Sequence, residues 1–126
     1  MDDQLAMTRP DAITDKAIDP AVLETVLSIG DKPLRDALLR QLVADFHRIA
    51  EALAAGSIDQ VGAAAHELKG LAATIGANRL ARLARTLNTV ADHVAPSDLG
   101  LFRAPVEGEI RVVLDRLAHH AGGPHS

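Results

Sequence analysis

In "AAAHELKGLAATIGA", residues 63–77, a histidine is followed three residues later by a lysine and four later by a glycine. The alanines and leucines around them are good helix formers, whereas glycine costs a helix interior roughly 1 kcal/mol relative to alanine. Neutral imidazole is a nitrogen nucleophile, and the lysine ammonium is a compact point charge rather than a planar fork. The chain has ten Arg and only three Lys, and one of the three is Lys69. The motif is thus a nucleophile, His66, with a cation beside it and a residue, Gly70, that the helix itself does not want.

Helical residues advance by about 100° each. Val61, Ala64, Leu68, Leu71 and Ile75 then form one stripe, the natural core face. His66 lies roughly 160° from Leu68, on the outer face. Gly62, Ala63, Gly70 and Ala73 surround it at offsets of −4, −3, +4 and +7, with Lys69 at +3. The expected surface is a solvent-facing imidazole ringed by the smallest side chains, with one cation in reach. An exposed helical histidine is commonly no more than a surface residue, and glycines commonly serve close helix packing. Packing glycines belong on the core stripe, however, and these two point away from it. A cleared landing surface for a partner is the better account.

The rest of the chain supplies the elements that must hold this face. At 126 residues it is one domain with a single core. Hydrophobic residues make up 48% but aromatics only 2%, Phe46 and Phe102, so the core is aliphatic and the composition favours helices over a sheet. Asp19-Pro20 and Gly30 bound a short helix over about 20–29. A second runs from Pro33 to Ala55 on Leu38, Leu42, Phe46, Ile49 and Leu53. Ser57 and Gln60 form a capping box for a third, which ends before Gly76. Asn78 caps a fourth with the stripe Leu80, Leu83, Leu87, Val90 and Val94. "APSDLGLFRAP" breaks the pattern, and a last helix from Pro105 to Ala121 buries Val106, Ile110, Val113 and Leu117. The expectation is an all-α protein: an antiparallel four-helix bundle over residues 19–121 with a short additional N-terminal helix, a loose arm at 1–18 and a frayed tail at 122–126.

Net charge of −4 argues against nucleic acid as a partner. No cysteine is present for a disulfide or thiolate metal site. No apolar run approaches the roughly 18 residues of a membrane span, and the acidic N-terminus does not resemble a signal peptide. A cytoplasmic monomer without a metal of its own is expected. His47 and His93 are isolated, and the adjacent His119 and His120, with His125, cannot share one helix face as metal ligands.

"AAAHELKGLAATIGANRLARLARTLN" resembles the histidine phosphotransfer domain, the relay module of two-component signalling. The family pattern of a His, two residues, Lys-Gly, a later Gly and a Leu-rich helix corresponds here to His66, Lys69, Gly70, Gly76, Leu80 and Leu83. "AIDPAVL" and "LVADFHRIAEAL" are similar to the family's opening turn and second helix, so the resemblance spans about residues 18–118. One position departs: Asn88, where many members have Glu.

The resemblance implies that His66 is a phosphoacceptor exchanging a phosphoryl group with receiver-domain aspartates. An exposed neutral imidazole presents an unprotonated ring nitrogen for attack. Lys69 would stabilise phosphate oxygens, and Mg²⁺ would be supplied by the receiver partner, because no carboxylate cluster surrounds His66 in the sequence. The partners implied are the receiver domain of a hybrid histidine kinase and a response regulator. A helical hairpin turning at Gly76 brings Arg82 and Arg85 within a turn or two of His66, where they would contact an acidic receiver surface. With no glycine-rich phosphate loop, the chain is expected to be a phosphocarrier rather than an enzyme. A helical adaptor that docks receivers or kinases without carrying phosphate is the alternative, and His66 with Lys69 favours the carrier. A dimerisation and phosphoacceptor fragment of a sensor kinase expects a two-helix hairpin, which the four-helix order and Lys69-Gly70 fit less well.

Overall fold

In the computed structural model, which describes residues 17–122, the chain folds as helices α1 (Pro20–Leu27), α2 (Lys32–Ala55), α3 (Ile58–Thr74), α4 (Asn78–Val90) and α5 (Pro96–Gly122). Helices α2 to α5 form an antiparallel four-helix bundle in which α3 packs on α2 and α4, and α5 closes the ring against the same two. The short α1 lies against α2 and α3. No helix among the described residues is long and apolar enough to cross a membrane.

Local chemistry sets most boundaries. Asp19 accepts from the Ala21 N–H at 3.0 Å and Pro20 opens α1. Asp31 caps α2 through the Leu34 N–H. The capping box is formed in both directions, Ser57 Oγ accepting from the Gln60 N–H and Gln60 Oε1 from the Ser57 N–H. Helix α3 ends in a paired closure, Gly76 N–H to Ala73 C=O and Ala77 N–H to Ala72 C=O, with Gly76 at φ +78°. This is the left-handed C-terminal cap that glycine adopts without steric cost.

The core is aliphatic around the fully buried Phe46 and includes Leu42, Ile49 and Leu53 of α2, Val61, Leu68 and Ile75 around α3, Leu80 and Leu87 of α4, and Val106, Ile110, Val113 and Leu117 of α5. It extends upstream of Asp19, since Ala17 and Ile18 are also buried. The remainder of the arm and tail expected from the sequence, residues 1–16 and 123–126, lies outside the described residues.

Three expectations are corrected. Helix α5 starts at Pro96, not Pro105, and runs through Pro105 without a break in assignment. Leu99 is buried and Phe102 half-buried on the same stripe as Val106 and Ile110. That burial offsets the roughly 3 kcal/mol cost of an interior proline. The carbonyl that loses its helical partner to Pro105 belongs to Leu101, a residue 74% exposed. Asn78 does not cap α4: Ala77 holds that position without a side-chain hydrogen bond. Ala77 also closes the α3 cap and is fully buried, so a methyl fits where a polar cap would be desolvated. Lastly, α4 ends at Val90, leaving Val94 half-buried beyond it.

Candidate functional site

His66 sits near the middle of α3 with its side chain exposed, opposite the buried Ala64, Ala65, Leu68 and Ala72. Among the described residues its ring has no hydrogen-bond partner, and neither has the half-buried Lys69 one turn on. Ala63, Gly70 and Ala73 are exposed on the same face. Gly70 stands in open space: an added Cβ meets no atom within 4 Å. Gly62 is half-buried on the α4 side, where an added Cβ would lie 3.8 Å from Ala91 Cβ, an ordinary contact. Neither glycine is therefore demanded by packing.

The contrast with Gly76 is sharp. A Cβ there would stand 2.8 Å from Val22 Cβ and 2.9 Å from Asp19 Cβ, in addition to the positive φ. Gly76 C=O also accepts from the Asp19 N–H at 2.9 Å, docking the start of α1 onto the α3–α4 turn.

Two flanks border the histidine. On the α2 side, Glu67 is held by the Arg48 guanidinium through Nη1–Oε1 at 3.2 Å and Nη2–Oε2 at 2.6 Å. Arg48 also reaches Asp45 at 3.5 Å. The hydrogen bonds from Arg48 hold the Glu67 carboxyl below its ordinary range, against a smaller opposing desolvation, and raise the guanidinium in turn. Glu67, although adjacent to His66, is thus a fixed carboxylate. The sequence reading missed this pair. Its signal was opposite charges at near-mirror positions about the Gly56-Ser57 turn, which a helical hairpin brings together.

On the α4 side the register follows from Gly62 facing Ala91 and the turn at Gly76. Position 87 is then level with His66 and position 84 with Lys69. Arg85 is displaced about 3 Å along the axis from the level of His66 and Arg82 about 7.5 Å. Both are exposed, and neither has an internal partner among the described residues. All the residues named from the sequence therefore lie on α3 and α4, with the small residues and Lys69 around the ring and the two arginines across the groove. No group of three or more His, Asp or Glu that could hold a metal gathers among the described residues.

The α3 face thus presents a solvent-facing imidazole on one helix of a four-helix bundle, with a lysine one turn away. The chain belongs to the Hpt domain family, whose model matches residues 33–120, from the start of α2 almost to the end of α5. Its function is histidine phosphotransfer in two-component signalling, as a carrier without catalytic turnover or a cofactor of its own, working with receiver and kinase domains. No curated protein and no solved structure matches the chain significantly.

Proposed function

We propose that His66 is the phosphoacceptor of this chain, and that it exchanges a phosphoryl group between the receiver domain of a hybrid histidine kinase and a response regulator in the cytoplasm. One observation carries this assignment: Gly70, a helix-weakening residue with open space where its side chain would be, lies one turn from an exposed histidine that has no partner among the described residues. The fold has no use for that glycine, whereas a macromolecule approaching the ring does.

In the forward step, an unprotonated ring nitrogen of His66 attacks phosphorus as the bond to the donor's aspartyl oxygen breaks. The donor recovers its carboxylate, and the proton on the other ring nitrogen leaves to water. Phosphoryl transfer relies on alignment and charge stabilisation more than on acid–base chemistry. Lys69, with no acidic partner among the described residues, is available to meet the phosphoryl oxygens. Any Mg²⁺ would be held by the partner's aspartate-bearing site, and would supply charge neutralisation of the phosphoryl group there. Gly62, Ala63, Gly70 and Ala73 keep the ring approachable, and Arg82 and Arg85 serve the docked partner.

Substituting His66→Gln tests the assignment. Acid-labile, alkali-stable label should disappear after incubation with a phosphorylated receiver, with helical content and melting unchanged because the side chain is exposed. Label of that type persisting on the variant would overturn it. The same experiment separates the carrier from a docking-only adaptor, which takes up no label in the wild type.

A further inference from the structure

The two flanks of His66 differ in charge, and the difference assigns a direction of approach. Helix α4 carries three arginines and no acidic residue in a chain whose net charge is −4. Arg79 points toward α5, where it approaches Glu109 at 3.9 Å. Arg82 and Arg85 have no such partner among the described residues. On the α4 helical wheel the half-buried Ala81 and Asn88 mark the edge packed beside α3, and Arg85 lies about 40° outward from Ala81 on that same side. On α3, Lys69 occupies the corresponding α4-facing flank, one residue from the level of Arg85. Two cations thus border one groove with no acid between them among the described residues. This arrangement is mildly repulsive in the free protein and is relieved by an anion. The opposite flank offers nothing comparable, because Arg48 is already occupied by Glu67 and Asp45.

Resting on His66 as the phosphoacceptor, we infer that the partner seats an acidic surface over the α3–α4 groove and leaves the α2–α3 flank uncovered. Arg85, nearest the ring, meets the acidic residues around the partner's phosphorylated aspartate, and Arg82 meets the rim. The α2 flank cannot offer a free cation without first breaking the Arg48–Glu67 pair.

The test uses the full chain and, as probe, the purified receiver domain that transfers fastest to the wild type among those encoded in the same genome. Arg85→Glu should slow transfer at sub-saturating receiver by roughly ten-fold or more, Arg82→Glu by less, with the wild-type rate falling as salt is raised. Arg48→Met on the other flank and Arg40→Glu on the outer face of α2 should stay within about two-fold. Arg85→Gln should give an intermediate loss, separating missing attraction from added repulsion. Phosphoramidate, a small donor that needs no docking face, is run in parallel. Label on His66 from phosphoramidate in an Arg82→Glu/Arg85→Glu variant that also retains full receiver transfer would overturn the docking direction alone. A loss in Arg48→Met as large as in Arg85→Glu would overturn it too. Absence of phosphoramidate label on His66 in the wild type would instead overturn the phosphoacceptor assignment beneath it.

Discussion

Gly70 lacks a side chain at a position where one fits, so its cost and its use are separable. Gly70→Ala should raise stability by up to about 1 kcal/mol, and Gly70→Gln should also be tolerated, since nothing lies within 4 Å of the added Cβ. Transfer should fall in both, more for Gln, because reacting atoms must come within about 3–3.5 Å and added bulk one turn away holds the partner off. Paired thermal melts and single-turnover rates check this. A sharp loss of stability in both variants would make Gly70 a packing residue. Lys69 calls for a different measurement. Lys69→Ala should leave the melt nearly unchanged, as the ammonium has no partner among the described residues, yet slow phosphorylation or shorten the lifetime of the phosphohistidine. Unchanged rates in both directions would reduce Lys69 to a solvated residue.

Among the elements, the α3–α4 turn is the one on which the site's geometry depends. Its register sets Arg85 beside His66, and Gly76 sets the register. Gly76→Ala should destabilise by at least about 1–2 kcal/mol from the left-handed backbone alone, and by more because Val22 and Asp19 stand under 3 Å from the new Cβ. Gly62→Ala, with its single contact at 3.8 Å, should melt at or above the wild type. Denaturant midpoints for the two variants give the comparison, and equal midpoints would contradict it. The Gly56-Ser57 turn, with its complete capping box, performs the same service between α2 and α3, bringing Arg48 to Glu67.

For the whole molecule, pairs between helices tie the bundle's behaviour to pH. The Glu67 carboxyl is lowered by hydrogen bonds from Arg48, that of Glu24 by Arg35 of α2, and that of Asp36 by Lys32 within its own helix. A carboxylate lowered in the folded state contributes stability above its unfolded value and loses that contribution as pH falls through the folded one. Melting temperature should therefore decline below about pH 4.5, and the gap between wild type and Glu67→Gln should shrink from pH 6 to about pH 3. A gap constant over that range would show that the Arg48–Glu67 pair contributes nothing. Each share is small, because these side chains are exposed. If the partner docks over the α3–α4 groove as inferred above, transfer through His66 should not follow the same profile, because this pair lies on the opposite flank.

The residues with chemistry were legible in the chain itself because helical periodicity is local. The spacing of Val61, Ala64, Leu68 and Ile75 turns His66 outward without knowledge of any other helix, and the Ser57–Gln60 box and Gly76 mark the ends of α3 by their own hydrogen bonds. What required tertiary structure was whatever depends on the distance between helices. Burial of Leu99 and Phe102 carries α5 through Pro105, where propensity alone ends a helix. Burial of Ala77 removes the cap expected from Asn78. Among the described residues, pairing across the bundle occupies Arg48 and leaves Arg82 and Arg85 without a partner. Identical side chains on neighbouring helices thus become a clamp or a charge left to solvent according to which partner the packing brings within a few ångströms, and spacing along one helix carries no information about that.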